Sequence, residues 1–171
     1  MNQSEISFES VDRFVAGTVG EAGERAFYLQ VRDSTRLLTF AVEKSQVAAV
    51  AERISYLLRE IRLSQPLNSF RSLAPDAAPL EMPIDEEFSI GEIGISYNEA
   101  SELIEIELLE LTETEEEERT LVSIKLSLSQ ADAFVKRSNF LVAAGRASCP
   151  FCGGPINRNG HLCPRANGYR R

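Results

Sequence analysis

The residue types best suited to chemistry lie close together near the C-terminus. The chain has three cysteines and one histidine, and all four fall within residues 149–163: Cys149, Cys152, His161 and Cys163. Thiolates and imidazole are common ligands of Zn²⁺, and a Cys-x-x-Cys pair places two thiolates on one ion. The four residues therefore predict a zinc site with a Cys₃His ligand set.

Glycines flank the four residues and would shape the backbone around them. Gly153 and Gly154 follow the first cysteine pair, and without Cβ atoms they allow backbone N–H groups to turn toward a sulfur. His161 and Cys163 are separated by one residue, so on an extended strand their side chains would point apart. We expect a turn beside Gly160 to bring them to the same ion.

Two other chemistries stay open at this cluster. Four protein ligands leave no position for water, which is typical of a structural zinc site. If His161 instead pointed away, three thiolates and a water would bind the ion, and the position of the water would be open to reaction. Without a metal, the three thiols could do redox chemistry. A catalytic Cys–His pair would lack a neighbouring acid to orient it. No catalytic residue is therefore assigned, and an enzyme is the less favoured class.

Charge separates the C-terminal segment from the rest of the chain. Residues 146–171 carry five arginines and no acid, whereas residues 1–145 carry 13 Lys and Arg and all 26 Asp and Glu. An acidic body repels polyanions, so we expect the tail to present its arginines to a protein partner. The alternatives are that the tail docks on the acidic body of the same chain, which is favoured over nucleic acid, and that the tail binds nucleic acid. The candidate partner or anion contacts are Arg165, Asn167, Tyr169 and Arg170.

Composition sets the class of protein. The chain has 171 residues, 43% of them hydrophobic and 26% charged, which suits one well-cored domain with an appendage. No apolar run approaches the roughly 20 residues that span a bilayer, and the first residues do not resemble a secretion signal. An odd number of clustered cysteines favours reduced thiols. We expect a cytoplasmic protein without a membrane segment.

The elements that must position the cluster follow from hydrophobic periodicity. β-Branched and alternating patterns predict strands at 14–20, 26–31 and 36–42, then at 88–94, 103–109 and 121–128. Apolar residues at helical spacing predict one helix after an N-terminal cap at Ser45 and another after Ser129, the second paired with Asp132 and ended by Gly145. The like-charge run 113–118 is interpreted as a solvated hairpin tip.

The two halves of the body share a motif. Residues 14–20 and 88–94 both fit F-x-x-G-x-[VI]-G, and each is followed by two strands and a helix. The predicted fold class is therefore α+β, with two pseudo-repeated βββα units forming a mainly antiparallel sheet covered by two helices, plus a zinc-knuckle tail. The predicted domains are a body at 1–145 (repeat 1 about 11–61, linker 62–85, repeat 2 about 86–145) and a basic zinc-binding tail at 146–171.

The same glycines support a different reading. Gly17 and Gly20 in the first half correspond to Gly91 and Gly94 in the second, and strand glycines let a ligand or another backbone approach closely. An enzyme or ligand-binding protein with a pocket between the two repeats is therefore an alternative. Such a pocket would be concave and would gather polar groups.

Three stretches of the chain resemble a known family. They are Phe27-Tyr28-Leu29-Gln30, Glu43-Lys44-Ser45-Gln46 and the C-terminal pattern CPxCGxP…GHxCPRxNGY that begins at Cys149. On these residues the chain resembles the DUF3090 family of uncharacterised bacterial proteins over nearly its whole length. The resemblance implies a small cytosolic protein of unknown activity and supports the fold and the metal. With the residue chemistry, it favours a zinc-binding interaction or adaptor module.

Overall fold

The part of the chain that the structure describes folds into seven strands and two helices. The computed structural model describes residues 3–21, 23–67, 70–145, 149–154, 156, 160–163 and 165. The elements in chain order are β1 Gln3–Phe8, β2 Arg13–Val19, β3 Ala26–Arg32, β4 Leu37–Val42, α1 Lys44–Ser64, β5 Glu86–Asn98, β6 Leu103–Glu110, β7 Arg119–Leu126 and α2 Leu128–Ala143. Within these described ranges neither helix has the length and apolar character needed to cross a membrane.

The strands form one sheet in the order β1-β7-β6-β5-β4-β3-β2. Four neighbouring pairs are antiparallel, while β1–β7 and β4–β5 are parallel. The predicted α+β fold with a mainly antiparallel sheet and two helices is confirmed. The prediction of six strands was wrong, because β1 adds to the edge of β7. The first half contains four strands and then a helix, and the second half contains three strands and then a helix. The duplication itself stays a prediction.

The sheet is strongly curled. β1 and β2 lie at opposite ends of the strand order, yet only residues 9–12 connect them. Such a link spans at most about 17 Å, whereas seven flat strands would place the two edges about 29 Å apart. The edges therefore approach each other. Arg36, in the turn between β3 and β4, donates a 2.6 Å hydrogen bond to the Ser7 carbonyl of β1 across this closure.

Both helices pack their apolar faces into a shared core. On α2, Phe134 stacks on Phe14 of β2 with ring centroids 4.7 Å apart. Burial removes these rings from water, and the pair adds a favourable stacking geometry. The buried residues of α1 recur at three- and four-residue spacing, as the sequence predicted: Val47, Val50, Ala51, Ile54, Leu58 and Ile61.

Both helices begin two residues earlier than predicted. Glu43 caps α1 in place of Ser45, and Ser127 caps α2 in place of Ser129. In each case a glutamine three residues after the cap accepts a hydrogen bond from the cap's backbone N–H, at 2.8 Å in α1 and 3.0 Å in α2. The same glutamines donate to the carbonyls of Ile90 and Val11, which ties each helix start to the sheet. These glutamines are Gln46 and Gln130.

The connector between α1 and β5 packs on β2. Leu80 is buried, and its side chain lies over Gly17, where an added Cβ would come within 2.4 Å of Leu80 Cγ. Asp76 accepts a 2.6 Å hydrogen bond from Arg13 Nε. Leu67, near the start of the connector, is instead 99% exposed.

Candidate metal centre

The structure brings the four predicted ligands together. One ligand atom from each of Cys149, Cys152, His161 and Cys163 lies within 4.8 Å of all the others. The Sγ atoms of Cys149 and Cys163 are 3.8 Å apart, and Cys152 Sγ lies 3.4 Å from His161 Nε2. Zinc bonds of about 2.3 Å to sulfur and about 2.0 Å to nitrogen give a sulfur–sulfur tetrahedral edge of about 3.8 Å and a sulfur–nitrogen edge of about 3.5 Å. The donor set and both distances fit such an ion.

Backbone hydrogen bonds shape the first half of the cluster. The Cys149 N–H donates to the Gly154 carbonyl at 2.8 Å, and the Gly153 N–H donates to the Cys149 carbonyl at 2.9 Å. Gly153 has φ +71°, a conformation that favours glycine. The Gly154 N–H then points at Cys152 Sγ, 3.4 Å away, as the sequence predicted. The turn therefore supplies a donor that stabilises negative charge on this sulfur.

A glycine also precedes the second half. Gly160 has φ +82°, so the chain turns immediately before His161. The ring presents Nε2 to the thiol of Cys152, while Nδ1 is buried without a hydrogen-bond partner among the residues that the structure describes. Cys163 is fully buried. Thus Nε2 is the ring nitrogen placed to bind an ion.

The two thiols of the Cys-x-x-Cys pair differ in acidity. Hydrogen bonds from the backbone N–H groups of Cys152 and Phe151 lower the pKa of Cys149. The N–H of Gly154 lowers the pKa of Cys152, but burial and the neighbouring thiols of Cys163 and Cys149 outweigh it and raise the pKa overall. Several sulfurs close together cannot all ionise easily. A bound cation would remove this repulsion.

The cluster is chemically suited to holding an ion. All three cysteines are free, and the 3.8 Å between Cys149 and Cys163 far exceeds the roughly 2.05 Å of a disulfide. Cys149 and Cys163 are buried, so their sulfurs are shielded from solvent oxidants. If all four residues bind one ion, no position is left for a substrate.

A comparison with known protein families covers this cluster. The family model described as a protein of unknown function, DUF3090, matches residues 6–163, which include all four cluster residues. The chain belongs to the DUF3090 family. Neither the curated proteins nor the solved structures contain a match to the chain.

Of the four residues of this DUF3090 protein that were predicted to contact a partner or an anion, the structure describes one. Arg165 lies beside the cluster, and its Nη1 donates to the Phe151 carbonyl at 3.4 Å. Asn167, Tyr169 and Arg170 lie outside the described residues. Their predicted role as partner or anion contacts therefore stays a prediction.

Two of the four glycines proposed to flank a pocket, Gly17 and Gly91, line two different grooves. Gly17 and Arg137 line a largely apolar groove of about 520 Å³ between β2, the connector and α2. Gly91 and Arg53 line a groove of about 420 Å³ between β5 and α1. The sequence predicted one pocket between the two repeats and not a second, separate groove. The position of the second groove depends on where β4 ends, and local sequence patterns do not reveal that.

Proposed function

We propose that Cys149, Cys152, His161 and Cys163 hold one structural zinc ion, and that the resulting knuckle is a protein-interaction module in a cytoplasmic protein. The observation that carries the proposal is the spacing of the four ligand atoms, two pairs of which match the edges of a zinc tetrahedron. The ion would contribute folding free energy to a segment with little core of its own. Three free thiols suit a reducing compartment.

The surface of the knuckle supports the interaction role. Leu162 lies between two of the ligands and is 69% exposed, and Phe151 lies between the other two and is 43% exposed. Apolar side chains held at the tips of a rigid, metal-bound turn are suited to enter pockets on a partner. Arg165 lies beside them, and the remaining tail arginines favour a partner with acidic groups.

Metal analysis of the protein purified without added metal tests the site. We expect about one zinc per chain and three thiols that react with a thiol reagent only after chelation. Cys163→Ser should lower the zinc content, while Ser138→Ala, which alters a buried hydroxyl on α2, should not. A metal-free protein with three freely reactive thiols would refute the zinc site and favour redox chemistry.

Site-specific crosslinking tests the interaction role. A photoreactive amino acid at Leu162 should give one defined protein adduct in cells. The same group at Leu111, which is 62% exposed on the body, should not give that adduct. Replacing Cys152 with Ser should abolish the adduct because the knuckle would lose its shape. Equal adducts at both positions, or none at Leu162, would exclude the knuckle as the contact surface.

A salt titration separates this proposal from the nucleic-acid alternative. Binding through the tail arginines would weaken steeply as salt rises, with a slope set by the phosphates contacted. We expect no binding of single-stranded RNA or DNA at physiological salt, because residues 1–145 carry twice as many acids as bases. Tight, steeply salt-dependent binding would favour the alternative.

A further inference from the structure

Strand β5 has an edge that none of the seven described strands covers. Its first part pairs with β4, and the ladder ends at Ser89 opposite Ala41. From Glu92 to Asn98, β5 pairs with β6 on one side only. Within the described ranges no strand pairs with the other side of this stretch. Such an edge presents unpaired backbone groups that can bind another strand.

A groove runs along this edge. It has a volume of about 420 Å³ and lies between β5 and the first turns of α1. Ile93 and Ile95 line it and are half-buried, and Ala49 of α1 forms part of the opposite wall. An added strand would therefore place every second side chain against apolar atoms. Arg53 of α1 also lines this groove.

The solvent-facing side of the same edge is acidic. Glu107 of β6 is opposite Gly94 in the ladder, and an added Cβ at Gly94 would lie 3.4 Å from Glu107 Oε2. Because Gly94 has no side chain, this carboxylate lies over β5, close to its free edge. Glu107 has no ion-pair partner among the described side chains. Glu92, two residues before Gly94, is also exposed and acidic, and its carboxylate lies 3.7 Å from Arg119 Nη1 in an exposed ion pair.

We propose that the β5 edge is a second interaction site, which binds an extended protein segment of alternating apolar and basic residues. The apolar residues enter the groove against Ile93 and Ile95, and the basic residues face Glu92 and Glu107. The main chain of the segment pairs with β5, which is the mode of β-strand addition. The site requires no metal, so it is independent of the zinc knuckle.

Peptide binding to the full-length protein tests the site. The probes are a fluorescent seven-residue peptide of alternating valine and lysine, a valine–glutamate counterpart and a lysine peptide with the same composition in blocked order. Ala49→Trp fills the groove from an exposed helical position, and Ser45→Trp places the same ring on α1 outside it. Glu107→Lys reverses the charge at the edge, and Glu116→Lys makes the same change in the loop between β6 and β7.

The expected pattern is specific to the site. The alternating lysine peptide should bind 1:1 and more tightly than the other two. Ala49→Trp should weaken it about tenfold or more, and Glu107→Lys about threefold or more. Ser45→Trp and Glu116→Lys should leave the affinity within about twofold of wild type. No binding at millimolar peptide, equal affinity for the blocked-order peptide, or full binding by Ala49→Trp would each overturn the proposal.

Discussion

The contact between Leu80 and Gly17 predicts a double-mutant cycle with a strong coupling. Leu80 is 6% exposed, and truncating a buried leucine to alanine destabilises proteins by about 2–5 kcal/mol. Because its site is at the surface of β2, we expect about 2–3 kcal/mol here. A Cβ at Gly17 would approach Leu80 Cγ to 2.4 Å, about 1 Å inside normal contact, so Gly17→Ala must displace the leucine.

The two substitutions should not add. Gly17→Ala alone should cost about 1–3 kcal/mol through the clash. With Leu80→Ala present the clash has no partner, so the double variant should cost about as much as Leu80→Ala alone. The expected coupling is therefore about 1–3 kcal/mol, well above the roughly 0.5 kcal/mol that marks independent sites.

Denaturant unfolding followed by circular dichroism measures all four proteins. Gly94→Ala is the control for glycine replacement in a strand, because among the described residues its added Cβ would come close only to the Glu107 side chain. Combined with Leu80→Ala, it should be additive. Additive costs for Gly17→Ala and Leu80→Ala, within about 0.5 kcal/mol, would show that the connector does not pack on β2 as described.

Two further perturbations test the connector and α2. Hydrogen bonds from Arg13 lower the pKa of Asp76, so its stabilisation is present above the unfolded pKa of about 3.9 and is lost as pH falls through the lower folded value. Asp76→Asn should lower the free energy of unfolding by about 1–2 kcal/mol at pH 7, a value already reduced for the partial exposure of Asp76. In thermal unfolding, the difference in stability between the variant and wild type should shrink below about pH 4. A difference that stays constant with pH would contradict this. Ser127→Ala should cost about 1 kcal/mol in urea unfolding because the Gln130 N–H loses its acceptor, whereas Ser129→Ala should change stability by less than half as much.

The sequence predicted what depends on local pattern. The six strands of the two halves and the buried face of α1 follow from periodicities of two and 3.6 residues, which a short window contains. The starts of the two helices were predicted at the wrong residues, because two candidate N-cap residues compete at each start. Ser45 and Ser129 are good cap residues, but Glu43 and Ser127 each have a glutamine three residues later that completes the hydrogen bonds.

What the sequence could not predict depends on pairing between distant residues. No local sequence pattern indicates three features of the sheet: the pairing of β1 with β7, the parallel pairing of β4 with β5, and the free edge beyond Ser89. The Cys₃His cluster was predictable because its residue types are rare in this chain and close together in the sequence. The orientation of the His161 ring was not predictable, since it depends on the turn at Gly160.

The pairing of β1 with β7 also has a consequence for synthesis on the ribosome. Gln3 pairs with Arg119, so β1 cannot complete its pairing until β7 has been synthesised. At about 5–20 residues per second this delay is roughly 6–23 s. Meanwhile β2, β3 and β4 can form their meander from contacts close in sequence, which close faster than distant ones. The nascent chain therefore carries β1 unpaired until β7 has left the ribosome, and a chaperone that shields extended segments would find its target there.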